Sequence, residues 1–146
     1  MDCIFCKIIS GEIRSSKVYE DEHILAFMDI QPVREGQTLV IPKRHIDHFS
    51  DIPDELATKV FLQSHRIAGS IRNRFQCERV GLVVHGYGVA HAHMVVVPQY
   101  DKDDIAFGQT AKIENGQVIF TGRDLRIVPH DELDETARVI REGLSA

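Results

Sequence analysis

The sequence contains few cysteines, three in 146 residues, and it lacks any run of eighteen consecutive apolar residues. The missing apolar run excludes an ordinary transmembrane helix. The first residues also lack the basic and apolar segments of a secretory signal. An odd number of cysteines does not make a disulfide framework. We therefore expect a cytoplasmic protein that does not associate with membranes.

Positive charge is also scarce, because 17 Lys and Arg face 22 Asp and Glu, which leaves a formal net charge of −5. This balance argues against general nucleic-acid binding, so any anionic ligand must be held by local groups. The 43% hydrophobic and 27% charged fractions are typical of a globular protein. At this length we expect a single domain over residues 1–146, with no repeat or linker.

The apolar pattern predicts short strands and two main helices. One helix follows Asp51 and Pro53 and carries an apolar stripe, and a second amphipathic helix follows Pro129. Asn115-Gly116 predicts a two-residue hairpin turn. The strands are predicted at residues 18–20, 23–30, 37–41, 80–84 and 89–98. The sequence therefore predicts an α+β fold with one mainly antiparallel sheet, plus a C-terminal hairpin and helix.

The predicted strand at residues 89–98 carries two histidines at alternate positions. His91 and His93 would point to one face, away from Met94 and Val96. Gly86 and Gly88 in the preceding turn would let backbone N–H groups approach a phosphate closely. Such a pair is compatible with a metal site, with a nucleophile and its orienting neighbour, or with two solvated histidines.

The other histidines and cysteines are less informative alone. Cys3-x-x-Cys6 indicates a metal or redox pair in a reducing compartment. Cys77 is predicted to be a packed free thiol. The remaining isolated histidines are predicted to lie on the surface, namely His23, His65 and His130.

The glycine turn, the His-x-His pair, the apolar strand and the closing proline together resemble the histidine triad (HIT) superfamily. Its signature is His-φ-His-φ-His-φ-φ, where φ is apolar. His91 and His93 match the first two histidines, whereas Val95 stands at the third. Further similar blocks lie at residues 3–13, 18–21, 26–30 and 36–46. The resemblance thus covers most of residues 3–100, and residues 101–146 form an extension outside any recognised motif.

The resemblance implies a fold of about five antiparallel strands with two main helices, usually paired into a homodimer. It also implies a nucleotide site in which Asp29 accepts hydrogen bonds from the ribose. The residues alone leave open that Asp29 merely caps the turn at Gln31-Pro32. By the same resemblance, the base pocket would be lined by Phe5, Ile8, Ile13 and Phe27.

The resemblance further implies a structural zinc ion. Its ligands would be Cys3, Cys6, His45 and His91, a closed tetrahedral set. His48 is an alternative third ligand, and two free thiols are the alternative to any metal.

In the family, the middle histidine attacks a phosphorus atom beside a nucleoside, a role that falls on His93, with His91 beside it. Backbone N–H groups at Gly86 and Gly88 would hold phosphate oxygens. Val95 cannot supply the polar group of a third histidine. The resemblance therefore implies a nucleotide hydrolase or nucleotidyltransferase, or else a nucleotide-binding protein with little turnover. A site for another small anion or a partner protein is the third alternative. Compensation for Val95 by Tyr87, His85 or Gln99 is left open.

Overall fold

A computed structural model describes residues 2–105, 109–122 and 125–145. The helices are α1 (Ile4–Ser10), α2 (Asp54–Phe75) and α3 (His130–Ser145), and the strands are β1 (Lys17–Glu20), β2 (Ile24–Met28), β3 (Thr38–Pro42), β4 (Arg79–Val84), β5 (Met94–Gln99), β6 (Gln109–Glu114) and β7 (Gln117–Gly122). Five strands form one antiparallel sheet in the order β1-β2-β3-β5-β4, and β6 and β7 form a separate hairpin. The predicted α+β fold is confirmed.

The central strands are almost entirely apolar because both faces of the sheet are covered. Every residue of β2 and β3 is buried. Along β5, Met94 and Val96 face a core shared with α2 and α3. Val95 and Val97 face a second core shared with α1. Successive side chains of a strand point to opposite faces, so β5 joins both cores.

The long helix α2 follows the predicted stripe, with Val60, Ile67 and Ile71 completely buried. It begins after Pro53, as the sequence predicted, and Asp51 belongs to a separate short 3₁₀ turn before it, Phe49–Asp51. In the described part of the chain, no helix is both long and apolar enough to cross a membrane.

The hairpin between β6 and β7 turns where the sequence predicted. Asn115 and Gly116 have φ angles of 53° and 75°. Positive φ at both central residues is the signature of a type I′ turn, whose twist suits antiparallel strands. The Asn-Gly prediction is therefore confirmed.

The segment before α3 is attached along the end of β2. The Val128 N–H donates to the Ile30 carbonyl at 2.8 Å. Asp134 accepts a hydrogen bond from Ser16 Oγ and forms an ion pair with Arg14, both at 2.6 Å. These contacts bring the first turn of α3 beside residues 13–16, at the edge of the second core.

The predicted strand at residues 89–98 is correct only in its second half. Hydrogen-bonded pairing begins at Met94, and residues 89–93 form a bend. Within this bend the His91 N–H donates to the Val89 carbonyl at 2.8 Å, and the Ala92 N–H donates to the Ile46 carbonyl at 2.7 Å. The backbone therefore satisfies its polar groups with a turn instead of a strand ladder.

The charged loop after β5 is organised by one buried carboxylate. Asp104 is fully buried and lies 2.9 Å from Arg34 Nε. It also accepts hydrogen bonds from the backbone N–H groups of Tyr100 and Asp101, at 2.7 and 2.9 Å. The loop is thereby held against the turn between β2 and β3.

We predict that Asp104→Ala lowers the free energy of unfolding by about 2 kcal/mol, because it leaves these donors without their acceptor. Urea denaturation measures the change. Asp103→Ala, one residue away and partly exposed, is the control and should change stability by less than about 0.5 kcal/mol. Equal stability losses in the two variants would contradict this account of the loop.

Candidate functional site

Two cysteines and two histidines from three segments meet beside the bend at residues 89–93. Cys3 precedes α1, Cys6 lies within it, His45 follows β3 and His91 precedes β5. Their nearest ligand atoms all lie within 4.8 Å of one another. These four residues could therefore hold a metal ion, and they are the four that the family resemblance implied.

The tautomer of His91 follows from its surroundings. Its Nε2 lies 2.8 Å from the Pro42 carbonyl oxygen, which can only accept, so Nε2 carries the proton. Nδ1 is then left with a lone pair, aimed at Cys3 Sγ and Cys6 Sγ. The ring is fully buried, and this burial lowers the pKa of His91 and keeps the imidazole neutral. A neutral imidazole with its second nitrogen fixed by a carbonyl is the usual form of a metal-bound histidine.

The distances within the cluster match a tetrahedral ion. His91 Nδ1 lies 3.6 Å from Cys3 Sγ and 3.7 Å from Cys6 Sγ, and His45 Nδ1 lies 3.3 Å from Cys6 Sγ. Zinc bonds of about 2.3 Å to sulfur and 2.0 Å to nitrogen place such atoms about 3.5 Å apart. The donor set therefore fits a tetrahedral zinc ion.

Hydrogen bonding alone accounts poorly for the same cluster. Two thiols converge on His91 Nδ1, which has a single lone pair. Burial and the neighbouring Cys3 raise the pKa of the Cys6 thiol, so a nearby cation is needed to favour its thiolate. His48, the alternative ligand, is exposed and lies outside the cluster, with its Nδ1 bonded to Ser50.

A cavity of about 600 Å³ opens beside His93. Its apolar wall contains all four predicted base-pocket residues. Gly88 also lines the cavity, whereas Gly86 lies outside its lining. The apolar lining residues include Phe5, Ile8, Ile13, Phe27, Leu39 and Val95.

His93 presents one nitrogen to this cavity. Its Nδ1 lies 2.7 Å from the His91 carbonyl oxygen, so Nδ1 carries the proton and Nε2 keeps a lone pair. The ring packs edge-on against Phe5, with centroids 5.4 Å apart, and His91 meets the same phenyl ring at 5.8 Å. Both imidazoles therefore contact the same phenyl ring, although the backbone at residues 89–93 is a bend.

Asp29 follows β2 and lines the cavity. One carboxylate oxygen accepts from the Gln31 N–H at 2.9 Å, and the other accepts from Gln37 Nε2 at 2.8 Å. The turn-capping role considered from the sequence is therefore present. A carboxylate has about four acceptor positions, so Asp29 keeps the capacity to accept from two adjacent hydroxyls.

Val95 lies in the cavity wall and is 3% exposed. Of the residues considered as compensation, His85 and Tyr87 line the same cavity, whereas Gln99 lines a separate depression beside Glu78 and Arg79. An aliphatic side chain therefore lines the cavity where the motif would place a third imidazole. A different imidazole, that of His85, lines the cavity from the end of β4.

His130 is one of the lining residues that sequence reasoning missed. It was predicted to lie on the surface, but it is partly buried at the start of α3 and borders the cavity. Its Nδ1 is the buried side-chain nitrogen that lacks a hydrogen-bond partner in the described part of the chain. No local sequence pattern predicts that His130 borders the cavity. The residue is brought there because the segment before α3 packs along the end of β2. His23 and His65 are exposed, as predicted.

Comparison with known proteins points to one family. A family model described as the HIT domain matches residues 10–102. Protein hit of Bacillus subtilis is 48% identical over 118 residues, which span 76% of this chain and 79% of that protein. An adenosine 5'-monophosphoramidase of Saccharomyces cerevisiae is 39% identical over 102 residues, 68% of this chain and 64% of that protein. A zinc-bound histidine triad family protein from Mycobacterium smegmatis has a TM-score of 0.75 at 29% identity, covering 99% of this chain and 94% of that one.

Proposed function

The chain belongs to the HIT domain family, and from this premise we propose that it is a nucleotide-binding hydrolase or nucleotidyltransferase. Its substrate is a nucleoside phosphate ester, anhydride or phosphoramidate, cleaved through a nucleotidyl-His93 intermediate. The observation that carries the proposal is the bond between His93 Nδ1 and the His91 carbonyl, which leaves the Nε2 lone pair facing the cavity. The activity named for the yeast relative supports a phosphoramidate among the substrates.

The proposed attack needs a neutral imidazole. The Nε2 lone pair of His93 forms a bond to phosphorus, and the bond from phosphorus to the leaving oxygen or nitrogen breaks. The leaving atom takes the bonding electrons and a proton from solvent. Water or a second phosphate then displaces His93. The backbone bond at Nδ1 fixes the ring orientation for both steps.

The cavity has the size and chemistry for the nucleoside part. The base lies against the apolar wall, where Phe5 meets Phe27 with ring centroids 5.5 Å apart. Asp29 accepts from the ribose hydroxyls through its remaining lone pairs. The backbone N–H groups of Gly86 and Gly88, in the turn before the histidines, donate hydrogen bonds to the phosphate oxygens. A volume of about 600 Å³ is within the range of small-ligand pockets.

A nucleotide-binding protein with little turnover is the second candidate. The observation that favours it is Val95, a buried aliphatic side chain that cannot donate to phosphate or a leaving group. Loss of one such donor costs roughly a hundredfold to a thousandfold in rate. The two candidates therefore differ in turnover and agree on the ligand.

The first test is a single-turnover incubation with an adenosine phosphoramidate and, separately, a dinucleoside polyphosphate. We expect intact mass spectrometry to detect one nucleotidyl group on the protein, because His93 Nε2 forms the covalent bond. His93→Ala should abolish the adduct, and His65→Ala, an exposed histidine on α2, should retain it. Nucleotide binding without any adduct in the unaltered protein would favour the second candidate.

We propose that the metal ion is a structural zinc bound by Cys3, Cys6, His45 and His91. Four protein ligands leave no open position for water, so the ion ties α1 to the bend that carries the histidines. The zinc-bound mycobacterial relative supports the choice of metal.

Replacement of Cys3 and Cys6 by serine should remove the zinc and lower the melting temperature, because a closed site contributes folding free energy. Metal analysis and thermal unfolding measure both effects. Cys77→Ser is the matched control, since Cys77 is a buried thiol outside the cluster, and it should retain the metal. Less than about a tenth of an equivalent of zinc in unaltered protein purified without chelator would refute the site.

A homodimer formed through β4 and α2 is also proposed. It is supported by the position of β4 at the sheet edge and by apolar side chains exposed on α2, Phe61 at 55% and Leu62 at 43%. Exposed apolar groups of this kind are typical of interfaces.

We predict that Phe61→Asp weakens self-association, because it places a charge in an apolar contact. Sedimentation velocity measures the mass. Asn73→Asp adds the same charge at another exposed position of α2 and should leave association intact. A purely monomeric unaltered protein at tens of micromolar would exclude the dimer.

A further inference from the structure

One polar side chain of the cavity comes from outside the matched family domain. The HIT domain model covers residues 10–102, whereas His130, at the start of α3, lines the cavity. The chain before α3 is fixed beside the cavity, because Gln31, another lining residue, donates from Nε2 to the Leu125 carbonyl at 2.9 Å. The C-terminal extension therefore adds a polar group of its own to the cavity.

His130 lies on the side of the cavity where the base wall was expected. Asp134, one helical turn further along α3, binds Arg14 and Ser16 Oγ, both at 2.6 Å. These two partners are close in sequence to Ile13, which belongs to the expected base wall and lines the cavity. The imidazole of His130 is therefore placed near a bound base.

The neighbouring polar side chains already have partners within the protein. Arg14 is ion-paired with Asp134, and the Gln31 amide is bonded to the Leu125 carbonyl. The Nδ1 atom of His130, by contrast, is buried without a hydrogen-bond partner in the described part of the chain. Buried polar atoms of this kind are rare in native proteins, and each calls for a physical reason.

The burial of Nδ1 indicates which nitrogen carries the proton. A neutral imidazole has one N–H donor and one lone pair. An N–H group enclosed without an acceptor would waste a strong donor, so the proton is better placed on Nε2. Nε2 lies across the ring from the enclosed atom, on a side chain that borders the cavity. His130 can therefore offer a donor to a ligand there.

A purine base has the features that this part of the cavity can recognise. Its two fused rings bury a large apolar face against the wall, where Phe5 meets Phe27. Its ring nitrogens accept hydrogen bonds in the plane of the base. A ring nitrogen that leaves water without finding a donor costs binding free energy. A donor at the edge of the base removes this cost, and a pyrimidine, with one ring fewer, extends less far toward it.

We propose that His130 donates a hydrogen bond from Nε2 to a ring nitrogen of a purine base and thereby sets the base preference of the site. The proposal rests on the proposed function and assigns a specificity residue to it. No covalent bond forms or breaks at His130, so its contribution is to binding and not to the transfer step.

The test compares His130→Leu with the unaltered protein by calorimetry. Leucine keeps apolar bulk but removes the donor, so the affinity for AMP should fall about tenfold and the preference for AMP over CMP should be lost. The affinity for ribose 5-phosphate, which has no base, should stay unchanged. His130→Gln carries an amide N–H about as far from the backbone as Nε2, and it should keep the AMP affinity within about threefold.

Deaza analogues of the ligand test the hydrogen bond itself. The 1-deaza, 3-deaza and 7-deaza forms of AMP each replace one ring nitrogen by a C–H group. One of them should bind the unaltered protein about tenfold more weakly than AMP, and this difference should disappear in His130→Leu. Equal binding of AMP and all three analogues by the unaltered protein would overturn the proposed bond.

The failure of this inference differs from failure of the proposed function. An unaltered protein that binds AMP, together with a His130→Leu variant that binds it equally well, would overturn the role of His130 alone. An equal loss of affinity for AMP and ribose 5-phosphate would also overturn it, because the effect would then be structural. If the unaltered protein binds no nucleotide, the proposed function and this inference both fail.

Discussion

The arrangement of the whole site depends on His91, a fully buried residue that uses three of its polar groups at once. Its Nε2–H binds the Pro42 carbonyl and ties the bend to the end of β3. Its Nδ1 points into the cysteine and histidine cluster, and its carbonyl receives the Nδ1–H of His93. Because one residue makes all these contacts, the cysteine and histidine cluster and the proposed nucleophile cannot move independently. A change in the cluster would reach the orientation of His93 through one peptide unit.

The two faces of the sheet are covered to different extents. The face toward α2 and α3 is a closed core in which Val40, Val60 and Ile71 are fully buried. The opposite face is covered by the short helix α1, which leaves room for the cavity. Phe5 belongs to both the second core and the cavity wall, and it meets both imidazole rings edge-on. An apolar wall also strengthens hydrogen bonds made at its border, because the local dielectric constant is low.

Periodicity in the sequence predicted most of the fold, since the helices and strands bury faces that local spacing reveals. The Cys3, Cys6, His45 and His91 cluster was implied by the resemblance to the HIT superfamily, and spacing alone did not choose between His45 and His48. The misplaced features have long-range causes. Residues 89–93 bend because Ala92 donates to Ile46 instead of to a neighbouring strand. His130 borders the cavity through a contact between Val128 and Ile30, about a hundred positions apart, which no local pattern encodes.

The burial of the Asp104 carboxylate could not be predicted from local sequence either. Asp104 lies in the run Asp101-Lys102-Asp103-Asp104, whose composition is typical of a solvated loop. Only Asp104, the last aspartate of the run, is buried, because Arg34 and two backbone N–H groups bind its carboxylate. Sequence reasoning could identify the loop but could not identify which of its charges has partners 70 positions away.

The surroundings of Val95 favour an aliphatic side chain over an imidazole. Val95 pairs with Leu39 on one side and Val83 on the other, inside the second core. An imidazole there would lose water and would need a buried partner to offset that cost. The valine avoids this cost and extends the apolar wall of the cavity. The same substitution removes a polar group from the wall beside His93, so core packing and the chemistry available to the cavity are coupled at this one position.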